Sequence, residues 1–275
     1  MRTILGVANE TIGGQALIDA VLEKAGGGDA RVVICVPRAT PRHGNIIYDD
    51  AVYDAAQIRI DLARGFLRQR GIDAVGDVGD PDPYSATMDA VAEWSPDEII
   101  ISTLPAQASG WLRRDLVERI TEATGLPVTH VVTDLDAEGL PFKVTLVVAN
   151  RTTRSDELID NLKHKAEDDQ HLFIVVVPQE GGGGTAAQQA RGRLSQMRER
   201  ARHAGLVLAG MVGDPDPYTA VMNALQFFRV DDIVISTLPE TKSGWLRANL
   251  IERVRKSTNC PVEHVVAGAT TAGSA

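Results

Sequence analysis

Two copies of one polar pattern in this 275-residue chain have the residue types and spacing to hold an anion. In each copy, Ser-Thr-Leu-Pro ends a short apolar run, and Ser-Gly-Trp-Leu-Arg follows a few residues later. Hydroxyl and backbone N–H groups where a strand leads into a helix can bind phosphate, and arginine pairs with its oxygens. Alternatively, the serines are helix N-caps and the arginines pair with Asp115, Glu118 or Glu252. The candidate ligand contacts are Ser102, Thr103, Ser109, Gly110 and Arg113 in the first copy, and Ser236, Thr237, Ser243, Gly244 and Arg247 in the second.

A Gly-Asp-Pro-Asp-Pro turn follows the third apolar run of each half and has two interpretations. Asp82 is well placed as a helix N-cap with Pro83 at the first helical position, and Asp80, which precedes a proline, must be extended. In the functional interpretation, Asp80 and its equivalent Asp214 help to hold a cation or a ribose. We favour the structural interpretation because turn chemistry explains every residue, and we keep both aspartates as candidate contacts.

Asparagine ends the first apolar run of each half, at Asn9 and Asn150. This side chain could cap the following helix or recognise a base edge or a ribose, and the sequence leaves both interpretations open. Val36 and Val177, which end the second run of each half, are further candidate contacts.

Other residues that could do chemistry are given structural interpretations. His130 and His264 each lie in an apolar run and are expected to be structural. Trp111 and Trp245 are expected to be packing anchors rather than stacking platforms. The sequence contains no serine–histidine–aspartate or paired-carboxylate pattern, no zinc-type spacing, no phosphate-binding loop motif and no dinucleotide fingerprint. We therefore expect no catalytic residues and no metal site.

The polar pattern belongs to a longer repeat. Five sequence blocks recur at an offset of 134 residues, which indicates a tandem duplication with domains at 1–135 and 141–268 and a linker at 133–141. Asn9 matches Asn150 at an offset of 141, so the second half lacks seven residues after its second strand. Residues 178–184 replace 37–48 there, and their four-glycine run, 181–184, is expected to be mobile. The two halves should differ most at this loop, and the ligand-binding properties are expected to differ in the second half.

The apolar runs alternate with amphipathic stretches of helical period, and each half has the order βαβαβαβαβ. This order predicts an α/β fold with two tandem, doubly wound parallel sheets of five strands each. Ligands bind such a sheet outside the carboxyl ends of the strands, where the strand order reverses. The predicted strands are 3–8, 31–36, 72–78, 98–102 and 128–132, then 143–149, 172–177, 206–212, 232–236 and 262–266.

Composition narrows the classes of partner. A hydrophobic content of 44% supports a folded core, and the net charge of −9 argues against nucleic-acid binding, which needs a basic face. Two cysteines at non-equivalent positions, Cys35 and Cys260, do not indicate a disulfide framework. No apolar run approaches the roughly twenty residues that span a bilayer, and the N-terminal run is too short for a signal peptide. We therefore expect a cytoplasmic protein without a membrane partner.

The chain resembles the universal stress protein family in its tandem form. The resemblance rests on the Gly-Asp-Pro turn, an aspartate before the fourth strand (Asp97, Asp231), a Glu-Arg pair in the last helix and a Pro-Val-x-x-Val-Val final strand. It implies five-stranded doubly wound domains, many of which bind ATP. The chain departs from the family's glycine signature, since serine and proline replace its first two glycines in both halves. These residues are Ser102 and Pro105, and Ser236 and Pro239.

The resemblance implies that the last strands pair within one chain to form an intramolecular pseudo-twofold dimer, and two chains could then associate further. It also implies a cytoplasmic regulatory or stress-response protein that binds a nucleotide or a related anion, such as ATP or another adenine nucleotide, without catalysis. A ligand-free interaction or scaffold module with decayed sites is the alternative. A nucleotide-processing enzyme ranks last, because neither a general base nor a nucleophile is evident.

Overall fold

The chain forms two compact units, Met1–Pro141 and Phe142–Ala275. The computed structural model describes residues 1–26, 29–40, 49–106, 109–111, 115–181, 183–239 and 243–268. Each unit contains one sheet of five strands, and every pair of neighbouring strands is parallel. The predicted α/β fold with two five-stranded parallel sheets is therefore confirmed.

The strands and helices alternate along each unit as predicted. The first unit has strands β1 (Arg2–Val7), β2 (Ala30–Pro37), β3 (Asp73–Gly79), β4 (Glu98–Thr103) and β5 (Val128–Val132), with helices α1 (Gln15–Ala25), α2 (Asp49–Gln69), α3 (Pro83–Trp94) and α4 (Leu116–Thr124). The second unit has strands β6 (Lys143–Val148), β7 (His171–Pro178), β8 (Val207–Gly213), β9 (Asp232–Thr237) and β10 (Val262–Val266). Its helices are α5 (Asp156–Asp168), α6 (Gly184–His203), α7 (Pro217–Phe227), α8 (Gly244–Arg247) and α9 (Leu250–Ser257). A short 3-10 helix follows the first strand of each unit, at Glu10–Gly13 and Arg151–Arg154.

The strand order places one reversal point in each sheet. The orders are β3-β2-β1-β4-β5 and β10-β9-β6-β7-β8. The chain therefore moves outward from the first strand in one direction and returns to add its fourth and fifth strands on the other side. Polar residues that follow the first and fourth strands are thereby brought to the same edge of the sheet.

Strand burial explains why these segments are nearly continuous apolar runs. In β4, Ile99, Ile100 and Ile101 are all inaccessible to solvent, although successive side chains point to opposite faces. Both faces of the central strands are thus covered, as expected for a parallel sheet between helices. The last strand of each unit, β5 or β10, lies at an edge of its own sheet. The predicted pairing of β5 with β10 stays a prediction.

The repeated Asp-Pro turn has the structural role that we favoured. Asp82 accepts a hydrogen bond from the Ser85 backbone N–H at 3.0 Å, and Pro83 begins α3. The Asp80 carboxylate accepts the Asp82 backbone N–H at 2.8 Å, so its oxygen is used within the turn. A Cβ atom on Gly79 would lie 2.6 Å from the Cβ of Ala86, which excludes a side chain there. The second unit repeats these contacts with Asp216, Thr219, Pro217, Asp214, Gly213 and Ala220.

The arginine of the Glu-Arg pair and the aspartate before the fourth strand are also explained by packing. The Arg119 guanidinium lies over the Tyr84 ring at 4.1 Å and so joins α4 to α3. The Asp97 carboxylate accepts the Thr3 backbone N–H at 2.7 Å and so joins β4 to β1. The equivalent contacts in the second unit are Arg253 over Tyr218 at 4.3 Å and Asp231 with the Val144 N–H at 2.8 Å.

The loop after the second strand is described only in part. Gly181 and Gly183 have φ angles of 89° and 108°, a region that favours glycine, and α6 begins directly after them. Gly182 and residues 41–48 of the first unit lie outside the described residues. The expected mobility of the four-glycine run therefore stays a prediction. Among the described residues, no helix combines the length and the apolar character that crossing a bilayer requires.

Candidate functional site

A polar cleft of about 480 Å³ lies at the carboxyl ends of the strands in the second unit. Its walls come from the residues that follow β6, β7 and β9 and from the start of α8, so it lies where the strand order reverses. This is the place that the sequence analysis predicted for a ligand. The lining residues are Asn150, Arg151, Thr152, Gln179, Glu180, Gly181, Pro215, Ser236, Thr237, Leu238, Ser243, Gly244 and Trp245.

The cleft brings together five of the candidate contacts predicted in the second half, namely Asn150, Ser236, Thr237, Ser243 and Gly244. The other three are placed differently. Val177 is completely buried in the core, so its side chain cannot face a ligand. The Asp214 carboxylate is bonded to the Asp216 backbone N–H within the turn. Arg247 ends α8, and its side chain is outside the described residues.

Five of the eight first-half candidates are buried, namely Asn9, Val36, Ser102, Thr103 and Ser109. Ser102, Thr103 and Ser109 are buried near the end of β4, at 1%, 2% and 4% exposure. Val36 is completely buried like Val177. Gly110 is partly buried, whereas Arg113 lies outside the described residues.

The asparagine side chains tie two strand ends together. The Asn150 Nδ2 group donates to the Pro178 carbonyl at 2.9 Å, and Asn9 donates to the Pro37 carbonyl at 2.5 Å. Neither side chain caps the 3-10 helix that follows, so the capping interpretation was wrong. The Asn150 amide thus bridges β6 to β7 at the edge where the cleft opens, and the Asn9 amide bridges β1 to β2.

Sequence reasoning missed the charged group at the mouth of the cleft. Arg151 donates to both Glu180 carboxylate oxygens, from Nε at 2.5 Å and from Nη2 at 3.3 Å. Arg193, from α6, contacts the same carboxylate at 3.3 Å and donates through Nη1 to the Asn150 side-chain oxygen. The hydrogen bond from Arg151 is the main cause that lowers the pKa of Glu180, while its partial burial opposes the shift. The same hydrogen bond raises the pKa of Arg151.

The sequence did carry one signal for this group. Arg151 directly follows Asn150, and the equivalent residue after Asn9 is Glu10, so the charge at this position is reversed between the copies. Glu180 lies in the shortened loop, where the halves were expected to differ. Arg193 comes from the middle of an amphipathic helix and carries no local signal of its own.

The fourth-strand serines differ in hydrogen bonding between the units. The Ser102 hydroxyl lies 3.3 Å from the Thr133 hydroxyl and shares a hydrogen bond with it. Ser236 is 1% exposed and its hydroxyl has no partner within the described part of the chain, because Ala267 stands where the first unit has Thr133. Thr133 fits in the first unit because its neighbour is Gly14, where a Cβ would lie 2.2 Å from the Thr133 methyl group. In the second unit Ser155 stands at the position of Gly14, and the smaller Ala267 stands at the position of Thr133.

The fourth-strand threonines contact the histidines of the last strands. Thr103 and His130 share a hydrogen bond of 2.9 Å, and Thr237 and His264 share one of 2.8 Å. Burial lowers the pKa of His264, and the positive charge of Arg255 lowers it further. Burial also lowers the pKa of His130. Each histidine thus joins the last two strands of its sheet at the edge that carries the ligand candidates.

The segment before α8 uses its own backbone groups. Ser243 is the N-cap of α8 and accepts the Leu246 N–H at 3.3 Å, as the capping interpretation predicts. The Ser243 backbone N–H donates to the Pro239 carbonyl at 3.0 Å. Trp111 packs against the core of the first unit, as expected, whereas Trp245 is partly buried and lines the cleft.

No protein-family model matches this sequence, and no curated protein matches it. Among solved structures, the chain is similar to a universal stress protein from Archaeoglobus fulgidus, with a TM-score of 0.37 and 16% identity, over 96% of this chain and 97% of that one. It is also similar to a universal stress protein in complex with cAMP, with a TM-score of 0.34 and 11% identity, over 46% of this chain and 97% of that one. A third similar structure is a universal stress protein family protein from Arabidopsis thaliana with AMP bound, with a TM-score of 0.33 and 12% identity, over 50% of this chain and 95% of that one.

The chemistry that the cleft offers is recognition of a polar, anionic ligand. Its walls present hydroxyl groups from Thr237 and Ser243, the Arg151 guanidinium and an indole ring. Arginine holds phosphate or carboxylate oxygens in pairs, and hydroxyl groups can donate or accept. Among the described residues, no group of three or more histidine, cysteine, aspartate or glutamate side chains is placed to hold a metal ion.

Proposed function

We propose that this protein binds a nucleotide or a related phosphate-bearing anion in the cleft of its second unit and does not turn it over. The observation that carries this proposal is the cleft itself, which lies at the strand-order reversal and is lined by polar groups that include Arg151. We further propose a regulatory or stress-response role in the cytoplasm, of the kind that the sequence resemblance to universal stress proteins implies.

The size and hydrogen bonding of the cleft support a small ligand. Its volume of about 480 Å³ is within the range of roughly 300–1,000 Å³ typical of small-molecule sites. Ser236, which lines it, has a buried hydroxyl without a partner among the described residues. Such a group costs free energy in the empty protein, and a ligand or a water molecule that it binds would recover part of that cost.

The same region argues against the usual triphosphate-binding loop of the resembled family. That loop needs glycines so that its backbone N–H groups can surround the phosphates. Here Pro239 has no N–H group, and the Ser243 N–H is bonded within the loop to the Pro239 carbonyl at 3.0 Å. We therefore propose that the ligand's phosphate contacts side chains in place of such a loop, which favours a smaller anion than ATP.

A second candidate function is a ligand-free interaction module. It is favoured by the Glu180 carboxylate, which partly neutralises Arg151 and Arg193 without any ligand. A nucleotide-processing enzyme remains third, because the Thr237–His264 pair is a hydroxyl–imidazole contact for which no orienting carboxylate is evident among its described hydrogen bonds.

Two measurements on the full chain test the proposal. Purified protein is denatured and the released small molecules are identified by mass spectrometry, and the thermal shift is measured with ATP, ADP, AMP and cyclic AMP. A ligand at one hundred times its dissociation constant adds about 2.7 kcal/mol to the free energy of unfolding. Release of a nucleotide, or a shift with one of the four, supports binding, whereas the absence of both favours the interaction module.

A matched pair of variants locates the site. Arg151→Gln removes an exposed guanidinium at the cleft, and its side chain is 65% exposed, so the fold should tolerate the change. Arg255→Gln removes a comparable guanidinium that is 47% exposed and pairs with Glu252. We expect the nucleotide-dependent shift to fall in R151Q and to persist in R255Q. An equal loss in both variants, or in neither, would place the ligand elsewhere.

A further inference from the structure

Two guanidinium groups converge on one carboxylate at the mouth of the cleft. Glu180 accepts hydrogen bonds from Arg151 on both oxygens and lies 3.3 Å from an Arg193 nitrogen. Arg193 is 21% exposed and Arg151 is 65% exposed, so one cation is largely buried and the other faces the solvent. Within this cluster of described side chains, the positive charge exceeds the negative charge by one.

The duplicated first unit shows how the cluster differs from its counterpart. The residue equivalent to Arg193 is Arg59, and Glu10 stands in place of Arg151. Burial lowers the pKa of Arg59 to about 10, and the negative charge of Glu10 partly opposes this shift. A carboxylate thus accompanies the helix arginine in both units, but the second unit supplies it from a different element and adds a second arginine.

We propose that Arg151 and Arg193 form a phosphate subsite of the cleft, and that the Glu180 carboxylate fills this subsite until a phosphate monoester displaces it. The inference deepens the proposed function and rests on it, because it names the residues that hold the phosphate of the bound ligand.

Charge and geometry favour the exchange of a carboxylate for a phosphate. A phosphate monoester carries a charge of about −1.5 to −2 and has three acceptor oxygens, whereas Glu180 carries one charge and two oxygens. The phosphate therefore neutralises both arginines, and its oxygens can accept hydrogen bonds from both guanidinium groups at once. Glu180 lies between the end of β7 and Gly181, outside any helix or strand, so its displacement breaks no hydrogen bond of the sheet.

The other residues that line the cleft suit the remainder of such a ligand. A phosphate group fills only a small part of a cleft of about 480 Å³. The hydroxyl groups of Thr237 and Ser243 and the ring of Trp245 line the remainder, which suits a sugar and a flat ring. A nucleoside monophosphate is thus the chemical class that matches both parts.

Isothermal titration of AMP and of adenosine into the full-length protein tests the inference. Glu180→Gln keeps the side-chain volume and removes the competing charge, so the Kd for AMP should fall at least fivefold. Adenosine has no phosphate, and its affinity should change less than twofold. Glu252→Gln is the matched control, because it removes a carboxylate that pairs with Arg255 at 3.0 Å in the same unit but does not line this cleft. It should leave the Kd for AMP unchanged.

R151Q provides a second test that does not depend on the stability of the Glu180 variant. It should weaken AMP at least fivefold and leave adenosine unchanged. If the wild-type protein binds AMP but neither E180Q nor R151Q alters the AMP Kd, the subsite is wrong and the proposed function stands. If adenosine changes as much as AMP, the variants act on the shape of the cleft, and the subsite is again wrong. If neither the wild type nor E180Q binds either compound or any other phosphate monoester tried, both proposals fail.

Discussion

One hydroxyl group shows how a single substitution changes the role of a residue in a duplicated chain. Ser102 and Ser236 occupy equivalent buried positions, but the partner position holds Thr133 in the first unit and Ala267 in the second. The second unit thus has the serine hydroxyl without the threonine that pairs with it in the first. The buried hydroxyl that remains in the second unit is easier to explain as a ligand contact than as a source of stability.

The two serines should respond differently to removal of the hydroxyl. Ser102→Ala breaks the hydrogen bond to Thr133 and leaves the Thr133 hydroxyl without this partner, so the free energy of unfolding should fall by about 1–2 kcal/mol. Ser236→Ala removes a buried hydroxyl that has no described partner, so stability should change by less than about 0.5 kcal/mol or rise. Urea unfolding of the two variants measures both values. Equal losses of stability would show that Ser236 has a structural partner.

At the level of elements, the ends of the last two strands in each sheet are joined by a threonine–histidine hydrogen bond. In the second unit Thr237 ends β9 and His264 lies in β10, the edge strand. An edge strand has a neighbour on one side only, so this side-chain contact adds to a short ladder of backbone hydrogen bonds. The imidazole in this contact can gain a proton as the pH falls.

The stability of the second unit should therefore fall as the pH is lowered. The folded pKa of His264 is below 6.5 because of burial first and the Arg255 charge second, while the unfolded value is 6.5. The unfolded chain then binds the proton more readily, so the stabilisation is complete above pH 6.5 and is lost as the pH falls through the folded pKa. Urea unfolding at pH 7.5 and at successively lower pH values measures this loss.

A pair of histidine variants separates this effect from general acid destabilisation. His264→Gln keeps a group that can bond to the Thr237 hydroxyl and removes the titration, so its stability should depend less on pH between 7.5 and 5.5. His164→Gln replaces an exposed histidine in α5 and should retain the wild-type dependence. If H264Q and the wild type lost stability in parallel, the pH dependence would have to be assigned to other groups.

In the molecule as a whole, the two copies share three contacts that join neighbouring elements. These contacts are the Asp-Pro turn, the Tyr–Arg contact and the hydrogen bond of the aspartate before the fourth strand. The residues that differ include Arg151 and Glu180, which lie at the cleft. These retained contacts have packing roles, whereas the cleft combines residues that both copies share, such as Thr237 and Ser243, with charges that differ between them.

The sequence-based prediction that the last strands of the two copies pair can be tested with one copy alone. β5 is an edge strand of its sheet, and its Val132 side chain is 45% exposed. An uncovered edge strand with an exposed apolar residue tends to pair with another strand. A fragment of residues 1–141 should therefore dimerise, as measured by size-exclusion chromatography with light scattering. Val132→Lys should shift that fragment towards the monomer, and a folded wild-type fragment that stays monomeric would contradict the pairing.

The sequence by itself determined the fold of each unit, because the patterns that specify this fold are local. Apolar runs of β length predicted all ten strands to within about two residues, and Asp82 with Pro83 identified the start of α3. Five residues of the cleft were also among the candidates, because the polar motifs that contain them follow predicted strands. These inferences needed only spacing along the chain.

Only the tertiary structure decided which charges meet at the cleft. The polar pattern predicts contacts from its nearest arginines, Arg113 and Arg247, whereas the described cluster consists of Arg151 and Arg193 with Glu180. Arg193 is 43 residues from Asn150 along the chain, yet it donates a hydrogen bond to that side chain. One helix, α6, and the ends of two strands, β6 and β7, must pack before these groups converge. A contact that packing makes leaves no periodic pattern in the residues that make it.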